Sequence, residues 1–102
     1  MININGELLF EQNIKLSTEN RGFKYGDAIF ETIKVSNNRI IFWEDHYFRL
    51  MASMRMLRMK IPMEFTLEFL QKEILKTVAA QDNAVSYRVR LNIYRKDGGL
   101  YT

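Results

Sequence analysis

The spacing of apolar residues changes along this 102-residue chain, and each change marks an element. Two short runs, Met1–Ile4 and Leu8–Gln12, flank Asn5-Gly6, a pair whose backbone tolerates the positive φ angles of a tight turn. They predict a small hairpin. Ala28–Ser36 and Arg39–Trp43 flank Asn37-Asn38 in the same way and predict a second. From Glu44 to about Arg58 the period becomes helical, with Tyr47, Leu50, Met51, Met54 and Leu57 on one stripe, and Pro62 keeps the helix from running far beyond Lys60. Thr66 can cap a second helix that runs to about Gln81, with Leu67, Leu70, Ile74, Leu75 and Val78 inward and Asp82-Asn83 as its stop. Val85–Arg95 then alternates as a strand: Val85, Tyr87, Val89, Leu91 and Ile93 share one side, and Ser86, Arg88, Arg90, Asn92 and Tyr94 the other.

Two amphipathic helices need a sheet face on which to bury their apolar stripes. The pattern therefore predicts an α+β fold: a two-layer sandwich with a mainly antiparallel sheet and two helices on one face. The opposite sheet face remains for a ligand or a partner. On the strand from Ala28, Ile29, Ile33 and Val35 share the face suited to the helices, which leaves Phe30, Thr32 and Lys34 on the other.

Composition narrows the chemistry. A chain of this length with 47% hydrophobic residues can bury the core of a single domain. No apolar run approaches the ~20 residues of a membrane span, and no basic segment leads into an apolar one at the N-terminus, so a cytoplasmic address without membrane attachment is expected. Without cysteine there is no disulfide, thiolate nucleophile or Cys-based metal site, and a single histidine excludes a multi-His metal site. Fifteen basic against 12 acidic residues, with a net charge of +3 and a pI of about 9.3, suits phosphate or carboxylate ligands and is too small an excess to indicate nucleic acid.

Against that background one stretch stands out, Arg21–Val35 (RGFKYGDAIFETIKV), followed by Glu44–Leu57 (EDHYFRLMASMRML). Together they resemble the opening of a class IV pyridoxal-phosphate enzyme, the family that contains branched-chain aminotransferases, D-amino-acid aminotransferases and aminodeoxychorismate lyases. Met1–Gly6 is similar to the family's start, and Tyr94–Tyr101 (YRKDGGLY) to its arginine-then-glycine turn. The resemblance implies that residues 1–102 are the small N-terminal domain of such an enzyme. The larger domain, with the lysine that binds the cofactor covalently, is then not in this chain, so no catalytic residue is assigned to it and the chain alone is expected to be inactive.

The resemblance also assigns roles. Tyr25 and Phe30 match the aromatic wall of the substrate pocket, Lys34 a basic residue near the substrate carboxylate, and Thr32 a lining position that is glycine in the branched-chain group and closer to the lyases here. Arg49, in His46-Tyr47-Phe48-Arg49-Leu50, matches the H-x-x-R-L arginine that contacts the cofactor phosphate, a task for which its planar fork and permanent charge are suited. His46 is expected to orient its neighbours rather than to act as a base. Arg90, and less directly Arg88, match strand residues that hold substrate carboxylates. Glu31, among apolar neighbours on its strand face, either pairs with a helix arginine such as Arg55 or lies near an edge. Gly98-Gly99 lacks the strand-to-helix setting of a phosphate-binding loop.

The expected activity is that of an aminotransferase, moving an amino group between an amino acid and a 2-oxo acid in a pyridoxal 5'-phosphate-dependent homodimer. Within the family the alternative is aminodeoxychorismate lyase, which releases pyruvate. Outside it, the basic sheet face would serve a stand-alone binding module.

Overall fold

A computed structural model describes residues 2–9 and 28–94. Its first element is the predicted hairpin, β1 (Ile2–Ile4) paired antiparallel with β2 (Glu7–Leu9). Asn5 and Gly6 take φ of 54° and 92°, and the Gly6 N–H donates to Asn3 Oδ1 at 2.8 Å, which closes the turn. The hairpin is a two-stranded sheet of its own rather than part of the main one.

The main sheet has three antiparallel strands in the order β4 (Arg39–Ile40), β3 (Ala28–Ser36), β5 (Ser86–Tyr94). Asn37 and Asn38, at φ of 51° and 65°, make the tight turn between β3 and β4. The expected strand to Trp43 is shorter than the pattern suggested. Phe42 adopts a left-handed conformation (φ 56°) that turns the chain directly into α1 (Trp43–Met56). Trp43 is thereby a buried helix residue whose Nε1–H donates to the Leu67 carbonyl at 3.1 Å.

Helix α1 ends through Leu57, with Arg58 in the left-handed region and the Met59 N–H donating to the Met54 carbonyl at 2.8 Å, a Schellman-type closure. Leu57, expected inward, is at this cap and partly exposed. Tyr47 fastens the following loop to the helix by donating its hydroxyl to the Phe65 carbonyl at 2.7 Å. Helix α2 (Leu67–Ala79) begins as predicted at Thr66, whose hydroxyl accepts the Phe69 N–H at 3.0 Å. Asn3 bonds α2 through Glu73 Oε1 and Thr77 Oγ1, both at 3.0 Å, and Lys76 Nζ donates to the Gly6 carbonyl, so the small hairpin docks on this helix.

The core lies between the sheet and both helices. Ile29, Ile33 and Val35 of β3 meet Leu50, Met51 and Met54 of α1 and Leu70, Ile74 and Val78 of α2. Along β5, Tyr87, Val89, Leu91 and Ile93 pack against this cluster as expected. Val85 does not: it precedes the strand, its carbonyl accepts the Asn37 N–H at 3.0 Å, and its side chain is exposed. Among the described residues no helix is long and apolar enough to cross a membrane.

Candidate functional site

The sheet face turned away from the helices is set by strand register. Phe30, Thr32 and Lys34 stand opposite Asn92, Arg90 and Arg88 respectively, and in every pair the side chains are exposed. The Arg90 guanidinium reaches diagonally over the Phe30 ring, its carbon 4.3 Å from the centroid, a cation–π contact that leaves the arginine's charge unneutralised. Lys34 and Arg88 are like charges directly across from one another, an arrangement that opposes sheet stability. No acidic side chain within the described residues forms an ion pair with Lys34, Arg88 or Arg90. An anion would therefore meet unpaired positive charge on this face.

The reverse side of the same strand holds a second polar group. Glu31 is buried on the core face between Ile29 and Ile33 and pairs with a helix arginine rather than lying at an edge; the arginine is Arg49, not the Arg55 suggested by the sequence. Arg49 donates from Nε to Glu31 Oε2 at 2.9 Å and from Nη2 to Oε1 at 2.8 Å, a bidentate grip. His46 Nδ1 lies 2.7 Å from Oε1, which assigns the ring proton to Nδ1, because an ionised carboxylate can only accept. The 3.2 Å approach of Arg49 Nη2 to Nδ1 is then that of two donors sharing one oxygen. The Arg49 bonds outweigh the effect of burial and, with His46, hold the Glu31 carboxyl below its ordinary value of 4.5. Arg49 itself remains 60% exposed, so it joins a buried carboxylate to the surface.

Of the residues singled out in the sequence, Phe30, Thr32, Lys34 and Arg90 thus share one face, and Arg49 stands on α1 behind the strand that carries three of them. Tyr25 and the 95–99 turn lie outside the described residues. Arg88 shares this face, directly across from Lys34. The depressions beside α2, lined in part by Lys72 and Leu75 or by Val78 and Tyr87, contain none of these residues. No group of three potential metal-binding side chains occurs among the described residues.

Residues 28–102 match the model of the amino-transferase class IV family. The chain belongs to that family. A D-alanine aminotransferase from Listeria monocytogenes serotype 1/2a is 27% identical over 92 residues, covering 90% of this chain and 31% of the relative. A putative branched-chain-amino-acid aminotransferase from Methanocaldococcus jannaschii is 30% identical over 99 residues, covering 97% and 33%. Among solved structures, a branched-chain aminotransferase from the archaeon Thermoproteus uzoniensis, determined with norvaline, superposes on 95% of this chain and 34% of its own with a TM-score of 0.77 and 25% identity. The chain thus spans about a third of the length of these class IV relatives.

Proposed function

We propose that this class IV chain forms the small-domain side of the active site of a pyridoxal-phosphate-dependent aminotransferase that moves an amino group between an amino acid and a 2-oxo acid. The observation that carries the reading is the open face of β3 and β5, where Phe30 and Thr32 lie beside unpaired Lys34, Arg88 and Arg90. The donor set fits the cofactor: Arg49 offers an exposed planar fork to a phosphate, with Nε and Nη2 bonded to Glu31 and Asp45 near enough only to act through its charge. When bound, pyridoxal phosphate supplies an electron sink for the electrons released at the substrate Cα.

The chain's own residues supply placement. Arg90, stacked over Phe30, presents its guanidinium to a carboxylate. Lys34 and Arg88 add positive charge one strand step away, and Phe30 offers an apolar surface that limits water around the substrate. A basic, partly aromatic wall of this kind orients an amino or 2-oxo acid and takes no part in proton transfer at Cα. We assign that proton transfer to none of Lys15, Lys24, Lys34, Lys60, Lys72, Lys76 and Lys96. We assign the rest of the site to further chain and to the partner subunit of a homodimer.

The test uses the intact protein loaded with pyridoxal phosphate and offered amino acids with a 2-oxo acid acceptor. Amino transfer is expected, and Arg49→Met is expected to raise the cofactor dissociation constant by about one to two orders of magnitude while preserving the fold, since the methionine stem replaces the arginine's apolar packing. Unaltered cofactor affinity in Arg49→Met would remove the phosphate assignment. Failure of transfer with every acid would remove the aminotransferase reading.

A further inference from the structure

We infer that Glu31 is a positioning residue that presents Arg49 to the phosphate. The inference rests on the reading of Arg49 as the phosphate ligand and adds to it a role for a residue that touches neither cofactor nor substrate.

Glu31 occupies a place that packing alone would give to an apolar side chain. It continues the stripe of Ile29, Ile33 and Val35 against the helices, and it is the single charged residue buried among the described ones. A carboxylate in such a layer normally tends to neutralise, because burial disfavours its charge. Here the carboxyl is shifted the other way, first by the Arg49 bonds and then by His46. Replacing a buried ion pair by apolar residues is often neutral or stabilising, so stability is a weak account of why the pair exists. Orientation is a better one.

The bonds show how the orientation is imposed. Arg49 sits on the exposed side of α1, where a long side chain keeps many rotamers open. Glu31 takes the edge of the guanidinium formed by Nε and Nη2. That fixes the plane and leaves the opposite edge, Nη1 with the second hydrogen of Nη2, for another anion. A guanidinium has five N–H donors, so one group can serve a carboxylate on one edge and a phosphate on the other. His46, with its side chain only 15% exposed, holds the carboxylate in turn by donating from Nδ1 to Oε1. The order of support runs from the core strand outward: His46 and Glu31 first, Arg49 last.

This arrangement makes a prediction whose sign is informative. Glu31 is a negative charge beside a proposed anion site, so if charge alone mattered its removal would tighten phosphate binding. If Glu31 positions Arg49, its removal weakens binding instead.

The experiment compares wild type, Glu31→Gln, Glu31→Asp, Arg49→Lys and the double variant Glu31→Gln/Arg49→Lys in the intact protein. Two quantities are read: the pyridoxal phosphate dissociation constant by equilibrium dialysis, and the Arg49 Nε–H NMR signal during titration with inorganic phosphate. Circular dichroism confirms the fold of each variant. We expect Glu31→Gln and Glu31→Asp each to weaken cofactor binding by about tenfold, with the Arg49 Nε–H signal broadened and less responsive to phosphate. In the Arg49→Lys background the Glu31→Gln change should produce no further weakening, because an ammonium has no second edge to be held. A merely structural Glu31 would leave its effect intact in that background. Should Glu31→Gln not fold, Glu31→Asp decides alone: it keeps the charge and shortens the reach, so unchanged affinity overturns the inference. Equal or tighter binding in a folded Glu31→Gln also overturns it. If Arg49→Lys leaves affinity unchanged, the phosphate reading of Arg49 falls and takes this inference with it, whereas a weakened Arg49→Lys beside an unaffected Glu31→Gln overturns the positioning role alone.

Discussion

The two faces of β3 come from alternate residues of one nine-residue strand, yet they satisfy opposite demands. Toward the helices, Ile29, Ile33 and Val35 are buried and close the core; away from them, Phe30, Thr32 and Lys34 are exposed beside two arginines. The first face carries the packing, and the second is the one we propose for recognition. Glu31 is the exception that connects them, a charge placed on the stable side whose partner reaches the surface. The division teaches that a strand can fix its binding residues by anchoring the residues between them, because a shift of register by one would exchange the two sets.

The sharpest way to break this division is to truncate one residue from each face. Ile33 is fully buried, and Ile33→Ala removes apolar groups from the core between the sheet and the two helices, so a loss of roughly 2–5 kcal/mol is expected. Thr32→Ala, on the adjoining exposed position, should change stability by less than about 0.5 kcal/mol. Urea unfolding followed by circular dichroism measures both. Comparable losses in the two variants would show that the open face is packed and not available for a ligand.

How much of this division was legible in the sequence follows from where the information resides. Alternation in residues 28–36 and 85–95 reports local period, and it placed Phe30, Thr32, Lys34 and Arg90 on their faces, with the two Asn-containing turns and the Thr66 cap in position. Register is different. That Lys34 meets Arg88, and that Arg90 leans over Phe30, depends on how two strands 50 residues apart align, which no local pattern encodes. The same holds for Glu31: an acid on an apolar stripe signals a buried partner, but whether Arg49 or Arg55 answers depends on how α1 lies across the sheet. The early end of β4 also escaped the pattern. Phe42 and Trp43 suit a strand, and tertiary burial of the Trp43 ring, with its hydrogen bond to Leu67, overrides that preference.

A second way to sharpen the comparison uses acid. Glu31 has a folded value below 4.5, so its contribution to stability is complete above the unfolded value and is lost as pH falls through the folded one. Glu31→Gln has no such group to titrate. Its stability deficit relative to wild type should be largest near neutral pH and should shrink steadily below about pH 4.5, read as converging urea midpoints. Glu73 supplies the control: its carboxyl is also lowered, by Asn3 first and then Lys76, but it belongs to the hairpin contact on the surface of α2. Glu73→Gln should show the same direction with a smaller deficit. A pH-independent deficit for Glu31→Gln would mean that the ion pair is not what couples the two faces.

The smallest effect expected comes from the exposed face alone, and salt is the means to isolate it. Lys34 and Arg88 stand directly opposite without an acidic partner among the described residues, and like charges in that position oppose folding by a few tenths of a kcal/mol to about 1 kcal/mol. Arg88→Gln removes the repulsion, retains a long polar side chain, and should raise the urea midpoint slightly at low ionic strength. The gain should fade as salt approaches 1 M, where the screening length is only about 3 Å. The loss in Ile33→Ala, being one of packing, should persist at that salt. If the repulsion is held in place to receive an anion, inorganic phosphate at constant ionic strength should stabilise wild type more than Arg88→Gln, because binding to the folded state alone raises its stability by mass action. A variant no more stable than wild type at low salt, and equally indifferent to phosphate, would show that these two side chains extend apart into solvent and that the charge on this face is not focused for a ligand.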